Sequence, residues 1–250
     1  MSTPRLVTIS FSHYCEKARW GLDRAGVAFV EDGHLPFFHV IPAARVGGRT
    51  VPILVTDDGV VPDSTDILRW ADARAPADRR LYPEGHGEAA LALEEGFDRD
   101  LGPHTRRWAY GFLLRQPRLI REICQVGAPA WERRTLPMVF PVARAVMRRV
   151  MKIDPPGVER SQGKIDRVFE QVEGLLADGR RYLVGDRFTA ADLTFAALAA
   201  PVVYPPEYTI PFPPRDRFPA AIQATIEGWR SRPAGAFALR LFAEERRRRP

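Results

Sequence analysis

The 250-residue sequence predicts an α/β region at its N-terminal end, followed by an all-α region organised as a helical bundle. In the first part, short apolar runs rich in β-branched residues alternate with helical patterns, which is typical of strands joined by helices. From residue 89 onward the spacing of apolar residues is almost wholly helical. Residues 75–83 separate the two parts, because they lose periodicity and contain two prolines. We therefore expect two domains, residues 1–82 and residues 83–250.

The composition is that of an ordinary globular protein. Hydrophobic residues make up 45% and charged residues 27%, which argues against disordered and membrane proteins. No window of about 18 consecutive apolar residues occurs, and the N-terminus does not resemble a signal peptide, so we expect a cytoplasmic protein. Cys15 and Cys124 have no metal-binding or disulfide-framework spacing. No metal is therefore expected, and a reducing compartment suits the chain.

The formal net charge of +6 comes almost wholly from arginine. The basic run at residues 246–249 is able to attract nucleic acid or an anionic membrane, but a solvated, frayed terminus explains it more simply. The sequence contains no RNA-stacking motif, zinc finger or recognition helix. We expect neither nucleic acid nor a membrane as a partner.

The first elements form a βαβ pattern. Residues 6–11 are a short apolar run, and small or apolar residues recur at helical spacing from residue 15 to residue 25. Gly26 ends this helix as a C′ glycine does, and residues 27–30 are predicted as a second strand. The sheet is expected to begin with a parallel pair of strands.

The next elements form a ββα pattern after a loop predicted over residues 33–50. Residues 51–55 are predicted as the third strand, and Asp58-Gly59 is a strong hairpin signal before a fourth. These two strands should therefore be antiparallel. Helical spacing resumes after Pro62, with Asp63 or Ser64 as the N-cap of the helix.

The second half is predicted as a bundle, in which the proline-rich residues 201–219 are irregular and cover part of a cleft. Thr189 and Asp192 open one helix like a capping box, and the apolar run after them predicts the buried centre of the bundle. Helical spacing covers residues 89–115, 119–125, 142–151, 163–177, 190–200 and 221–230.

Ser12 lies where the first predicted strand enters the first helix. The first-turn amides and the helix dipole point at this loop, so a hydroxyl there can help to hold an anion such as a thiolate. A serine at this place is also a common N-cap. The surrounding motifs decide between the two roles.

Four motifs in order resemble the glutathione transferase superfamily, in the manner of a serine-type, bacterial-like cytosolic member. The resemblance spans the chain from the first strand almost to the end, and it implies a thioredoxin-like N-terminal domain that binds glutathione. The motifs are Ser12-His13-Tyr14-Cys15, Val51-Pro52-Ile53-Leu54, Asp63-Ser64, and the stretch from Leu183 through Gly185 and Thr189 to Asp192.

The resemblance implies a role for each motif. Ser12 matches the catalytic serine, and Val51 would exchange backbone hydrogen bonds with the cysteinyl part of glutathione ahead of a cis Pro52. Asp63 would bind the γ-glutamyl ammonium, and Ser64 with the helix amides the neighbouring carboxylate. For Asp63 and Ser64, ordinary capping uses the same atoms.

The sequence also departs from the family pattern. His13 stands where many members have proline, and residues 33–50 lack the usual Asn-Pro approach. His39 and Arg49 are candidates for the glycine carboxylate of glutathione, with surface solvation as the alternative. Cys15 is the alternative nucleophile, although a packed or half-exposed helix residue is the expected role.

The hydrophobic co-substrate should contact the first helices of the second domain and Tyr14. Trp108, Tyr110 and Phe112 cluster there. Since Trp108 and Phe112 share a helix face that Tyr110 does not, one face should be buried and the other should line the cleft.

The function implied is that of an enzyme that transfers alkyl or aryl groups, as in detoxification. It would activate the thiol of glutathione, its co-substrate, for attack on a small hydrophobic electrophile. The alternative is a non-catalytic binding or scaffold protein of the same superfamily. The resemblance further implies a homodimer.

Overall fold

The computed structural model describes residues 2–246, and its first part is a small mixed sheet with helices on it, a thioredoxin-like arrangement. The elements of this part are β1 (Arg5–Ile9), α1 (His13–Arg24), β2 (Val30–His34), α2 (Val40–Arg45), β3 (Ile53–Thr56), β4 (Gly59–Pro62) and α3 (Ser64–Asp72).

The four strands lie in the order β2-β1-β3-β4. β1 and β2 are parallel, whereas β3 is antiparallel to both β1 and β4, as the hairpin signal predicted. Gly59 follows the turn with φ +130°, a left-handed value that favours glycine.

The second strand lies three residues beyond the predicted one. Val27 and Phe29 pack against the apolar core between sheet and helices instead of pairing with β1. The observed strand contains Glu31 and Asp32, whose carboxylates bind Arg19 and Arg5. Apolar and polar residues do not alternate along this strand. Its position is therefore determined by backbone pairing with β1 and by these two ion pairs.

The helical part follows and differs from prediction at four places. The helix predicted over residues 89–115 is broken at Leu101, ahead of Pro103. The helix predicted from residue 142 begins at Ala130 and accommodates Pro137 and Pro141. The helix predicted over residues 163–177 begins at Pro155. A last helix was not predicted. The helices are α4 (Gly87–Asp100), α5 (Gly102–Leu113), α6 (Pro117–Cys124), α7 (Ala130–Val150), α8 (Pro155–Leu176), α9 (Ala190–Val203), α10 (Ala220–Ser231) and α11 (Pro233–Glu245).

Helix α9 is the centre of the helical part, and its capping box is confirmed. Its residues are buried almost throughout, and it packs against α4, α5, α11 and also α1. The carboxylate of Asp192 accepts from the Thr189 N–H and from the Leu183 N–H, each at 2.8 Å. These bonds attach the preceding loop to the start of the helix.

Buried ion pairs attach α1 to the helical part. Lys17 is fully buried, and its Nζ lies 2.8 Å from Glu94 Oε1 and 2.6 Å from Asp98 Oδ2 on α4. The preceding residue, Glu16, is buried between Arg19 and Arg246. The N-terminal and helical parts are therefore joined by charge as well as by apolar packing.

The expectation of a solvated basic tail is wrong for its first residue. Arg246 is only 5% exposed, because its guanidinium binds Glu16 at 2.7 Å and Asp23 at 3.0 Å. Residues 247–249 of the predicted tail lie outside the described residues. No helix within residues 2–246 is long and apolar enough to span a membrane.

Candidate functional site

A largely apolar cavity of about 300 Å³ lies where the loop before α1 meets the helical part. Its walls come from the loops before α1 and β3, from α5, from the end of α7 and from the segment after α9. The residues that line it include Ser12, His13, Tyr14, His39, Val51, Arg106 and Tyr110. Further apolar lining comes from Phe11, Leu113, Met147, Val150, Tyr204, Tyr208 and Phe212.

Ser12 is the N-cap residue of α1 and lines the cavity. Its N–H donates to the Ile9 carbonyl at 2.9 Å, and its carbonyl accepts from the Glu16 N–H at 2.9 Å. The side chain makes no capping hydrogen bond to the helix backbone. The Ser12 hydroxyl is therefore half-buried beside the positive end of α1 and is not used to cap it.

Cys15 is packed inside the first turn of α1, as expected. It is completely buried, and burial raises the pKa of its thiol to about 11, against smaller opposing effects that include Arg19 and a hydrogen bond from Ser12. A protonated, inaccessible thiol is a poor nucleophile.

The peptide bond between Val51 and Pro52 is cis, as predicted. Val51 lines the cavity, and β3 begins only at Ile53, so Val51 lies outside the ladder of backbone hydrogen bonds. Within residues 2–246 its N–H and C=O have no backbone partner.

Asp63 and Ser64 stand at the start of α3, outside the cavity lining. Asp63 is exposed, has φ 71°, and caps the helix by accepting from the Thr65 N–H at 2.8 Å. Ser64 is 2% exposed. The structure thus shows the capping role for Asp63, and its other carboxylate oxygen is not used in that bond.

The two candidates for the glycine carboxylate differ in position. His39 lines the cavity, and burial lowers the pKa of its imidazole, so the ring is held neutral. Arg49 is exposed and lies two residues before Val51, outside the lining. Arg49 is the charged member of this pair.

Of the residues expected to contact the co-substrate, the structure brings Tyr14 and Tyr110 to the cavity. Trp108 and Phe112 point instead into the helical core, where Trp108 packs edge-on against Trp229 and Phe112 against Phe218. The division of the two α5 faces is as predicted from their spacing, with Trp108 and Phe112 on the buried one.

Comparison with known proteins decides the family. The N-terminal domain model of glutathione S-transferases matches residues 6–79, and the C-terminal domain model matches residues 155–223. The chain belongs to the glutathione S-transferase superfamily. No curated protein matches the sequence.

Solved structures share the glutathione S-transferase fold over nearly the whole chain. A poplar glutathione transferase is 14% identical to this chain, and the structural match covers 98% of this chain and 94% of the poplar chain with a TM-score of 0.62. A Methylobacterium radiotolerans glutathione S-transferase, in complex with glutathione sulfonate, is 22% identical over 95% of both chains, with a TM-score of 0.54. A Phanerochaete chrysosporium glutathione transferase is 14% identical over 100% of both chains, with a TM-score of 0.61.

Sequence reasoning missed part of the cavity of this superfamily member. Arg106 precedes the predicted aromatic cluster by two residues and lines the cavity with Tyr110, one helical turn further on. Residues 146–151 and 204–213 contribute further walls. The position of Arg106 four residues before Tyr110 is the signal in the sequence that would have found it.

His13 and Tyr14 bind the junction of α4 and α5. His13 Nε2 donates to the Gly102 carbonyl at 2.9 Å, and the Tyr14 hydroxyl donates to the Asp98 carbonyl at 2.9 Å. Burial, and then the charge of Arg106, lower the pKa of His13 to about 3. Burial likewise raises the pKa of Tyr14, so both side chains are neutral at pH 7.

His13 gives the protein a pH-dependent stability. Its native pKa of about 3 is below the unfolded value of 6.5, so the unfolded state binds more protons between these limits. The free energy of unfolding should therefore fall by about 2 kcal/mol from pH 7.5 to pH 5 through this residue. Urea unfolding at both pH values measures the change. His13→Gln keeps an N–H donor but does not titrate, so this variant should lose the His13 contribution to the pH dependence. Equal pH dependence of the free energy of unfolding in both proteins would contradict this role of His13.

Gly102 allows α1 to approach α5 closely. A Cβ at this position would lie 2.6 Å from Tyr14 Cζ and still closer to the hydroxyl. We expect Gly102→Ala to lower the free energy of unfolding by about 1–3 kcal/mol, because Tyr14 cannot move without losing its bond to Asp98. A Cβ added at Gly163 in α8 would have no atom within 4 Å outside its own stretch of helix. Gly163→Ala should raise stability by about 0.5–1 kcal/mol, and thermal unfolding of both variants tests the contrast.

Proposed function

We propose that this protein is a glutathione transferase in which Ser12 activates the glutathione thiol for attack on a hydrophobic electrophile. The placement of Ser12 is the observation that carries the proposal. Its hydroxyl makes no capping hydrogen bond, lies beside the N-terminus of α1 and lines the apolar cavity. An anion held there would receive a hydrogen bond and the favourable helix dipole.

The chemistry asked of Ser12 is modest. Lowering a thiol pKa from about 8.5 by two units requires about 3 kcal/mol of preferential thiolate stabilisation. A hydrogen bond to a charged group supplies about 1.5–3 kcal/mol, and the helix terminus about 0.3–1 kcal/mol. In the reaction, the thiol proton passes to solvent, the thiolate sulfur forms a bond to the electrophilic carbon, and a leaving group departs with the electrons of its bond.

Glutathione would lie along the loops before α1, β3 and α3. The unpaired N–H and C=O of Val51, placed by the cis Pro52, would bind its cysteinyl backbone. Asp63 would bind the γ-glutamyl ammonium, with Ser64 and the α3 amides on the adjoining carboxylate. For the glycine carboxylate, the charge of Arg49 and the N–H of the neutral His39 are the available donors.

The co-substrate would occupy the apolar cavity between Tyr14 and Tyr110. Both side chains lie on its wall, and Tyr110 is almost fully buried. A small hydrophobic electrophile gains affinity there by burying apolar surface. We do not include Trp108 and Phe112 in this site, because their rings pack into the core.

Binding and turnover test the proposal together. Calorimetric titration with glutathione should show saturable binding at one site per chain, and a panel of aryl halides, enones and epoxides should include compounds that turn over. Binding without turnover across the panel would favour the non-catalytic scaffold. Absence of glutathione binding would reject both.

We also propose the assembly and setting that the family implies. The boundary between domains is placed at residues 82 and 83, and the protein is proposed to be a cytoplasmic homodimer. The free thiols of Cys15 and Cys124 suit a reducing compartment. Light scattering should give twice the 28.2 kDa mass of the chain at micromolar concentration, and a monomer mass would contradict the dimer.

A further inference from the structure

Arg106 is the one permanently charged side chain among the described residues that line the cavity, and no aspartate or glutamate lies among them. His13 and His39 also line it, but burial lowers the pKa of both. The apolar cavity therefore carries a single, uncompensated positive charge on its wall.

The guanidinium of Arg106 has no hydrogen bond or ion pair with any other residue in the range 2–246. The next residue provides a contrast: Arg107 donates to the Met151 carbonyl at 2.7 Å and to Ser161 Oγ at 3.0 Å. Arg107 is thus held by the fold, whereas Arg106 is exposed at the edge of the cavity and its five donors are open to water or to a ligand.

Arg106 also lies near the end of the cavity where the proposed reaction would occur. After burial, its charge is the next cause that lowers the pKa of His13, and it opposes the effect of burial on the pKa of Tyr14 and Tyr110. These residues flank Ser12 on one side and the co-substrate space on the other. His13 and Tyr14 directly follow Ser12 in the chain, so the charge of Arg106 acts on the Ser12 side of the cavity.

We propose that Arg106 selects electrophilic co-substrates that carry a negatively charged group, such as a carboxylate, on an apolar or aromatic body. The inference rests on the proposed function and deepens it. The apolar wall would bind the body, and the planar guanidinium would bind the anion through two parallel hydrogen bonds. The charges of glutathione itself are assigned elsewhere, to the start of α3 and to residues 39–49.

Binding of matched glutathione conjugates tests the proposal without requiring turnover. The probes are S-(ortho-nitro-para-carboxyphenyl)glutathione, its para-carboxamide twin, and glutathione. The two conjugates differ only in the charge of one group. Dissociation constants are measured by calorimetry for the full chain and for Arg106→Gln, Arg106→Lys and Arg99→Gln. Arg99 is a suitable control, because it is exposed on α4, pairs with Asp100 and does not line the cavity.

We expect Arg106→Gln to weaken binding of the carboxylate conjugate by about five- to tenfold, the effect of losing a bidentate pair that is partly open to water. The carboxamide conjugate and glutathione should change by less than about threefold. Arg106→Lys should keep part of the preference for the carboxylate conjugate, since lysine retains the positive charge but cannot make two parallel hydrogen bonds as a guanidinium does. Arg99→Gln should leave all three constants unchanged.

Other results would overturn the inference in distinguishable ways. Equal loss for both conjugates would make Arg106 a wall residue without charge selectivity. Loss that includes glutathione would assign Arg106 to glutathione itself. Glutathione binding with no binding of the carboxylate conjugate would also overturn it while leaving the proposed function intact. Absence of binding by all three probes would overturn the proposed function and the inference together.

Discussion

Ser12→Ala should lower kcat/KM with a reactive aryl halide by about ten- to a few-hundredfold, since it removes about 1.5–3 kcal/mol of thiolate stabilisation. The pH-rate profile should move upward, because a thiol without this hydrogen bond ionises at higher pH. Glutathione binding should change much less, because the groups proposed to bind the peptide, at Val51, Asp63 and Ser64, are separate from the Ser12 hydroxyl. Steady-state kinetics over a range of pH, with calorimetry for glutathione, measures all three.

Two variants keep this prediction open to contradiction. Ser12→Thr retains a hydroxyl and should preserve more activity than Ser12→Ala. Cys15→Ala should leave the pH profile in place, because the thiol is buried with a pKa of about 11. If Ser12 served only as an N-cap, Ser12→Ala would cost about 1 kcal/mol of stability with an unchanged profile. Loss in Cys15→Ala with none in Ser12→Ala would assign the chemistry to the cysteine.

Lys17→Met should lower the free energy of unfolding by about 3–5 kcal/mol, because it leaves carboxylates without their buried counter-charge. Lys17 and Glu94 are both fully buried, and the ammonium also donates to Thr65 Oγ1 at 3.0 Å. Methionine fills a similar volume, so the loss measures charge rather than a cavity. Urea unfolding followed by circular dichroism gives the difference.

An exposed ion pair provides the matched control. Arg215 lies 2.8 Å from Glu227, and both side chains are largely in solvent. Arg215→Met should cost less than about 1 kcal/mol. Similar losses in Lys17→Met and Arg215→Met would show that the buried pairs between α1 and α4 do not hold the two parts of the molecule together.

The sequence predicted those parts of the fold that local chemistry determines. The hairpin at Asp58-Gly59 and the capping box at Thr189 each depend on a few adjacent residues, and the structure confirms them. The cis bond at Pro52, which the family resemblance implied, is also confirmed. The shift of the second strand and the early start of α7 were missed. In the second strand, backbone pairing and ion pairs override the local pattern. In α7, Pro137 and Pro141 interrupt the pattern, and the first turn is fixed by Glu132, which accepts from the Leu35 N–H at 2.7 Å.

The cavity was predictable only in part, because its walls are far apart in the chain. Spacing separated Tyr110 from Trp108 and Phe112, but it did not tell which face of α5 meets the loop of Ser12. Arg106 shares the Tyr110 face and was overlooked, since nothing in the sequence shows that its charge is left unpaired. Asp63 and Ser64 stay proposals for ligand binding, because capping accounts for the Asp63 contact that the structure shows.

Ser12 is proposed to hold glutathione as a thiolate, and the ultraviolet absorption of the bound thiolate tests this role most directly. The thiol of glutathione bound to the unmodified protein should titrate about two pH units below its value in free solution, and that shift should largely disappear in Ser12→Ala. A bound thiol that titrates at the same pH in both proteins, or as it does in water, would contradict the account.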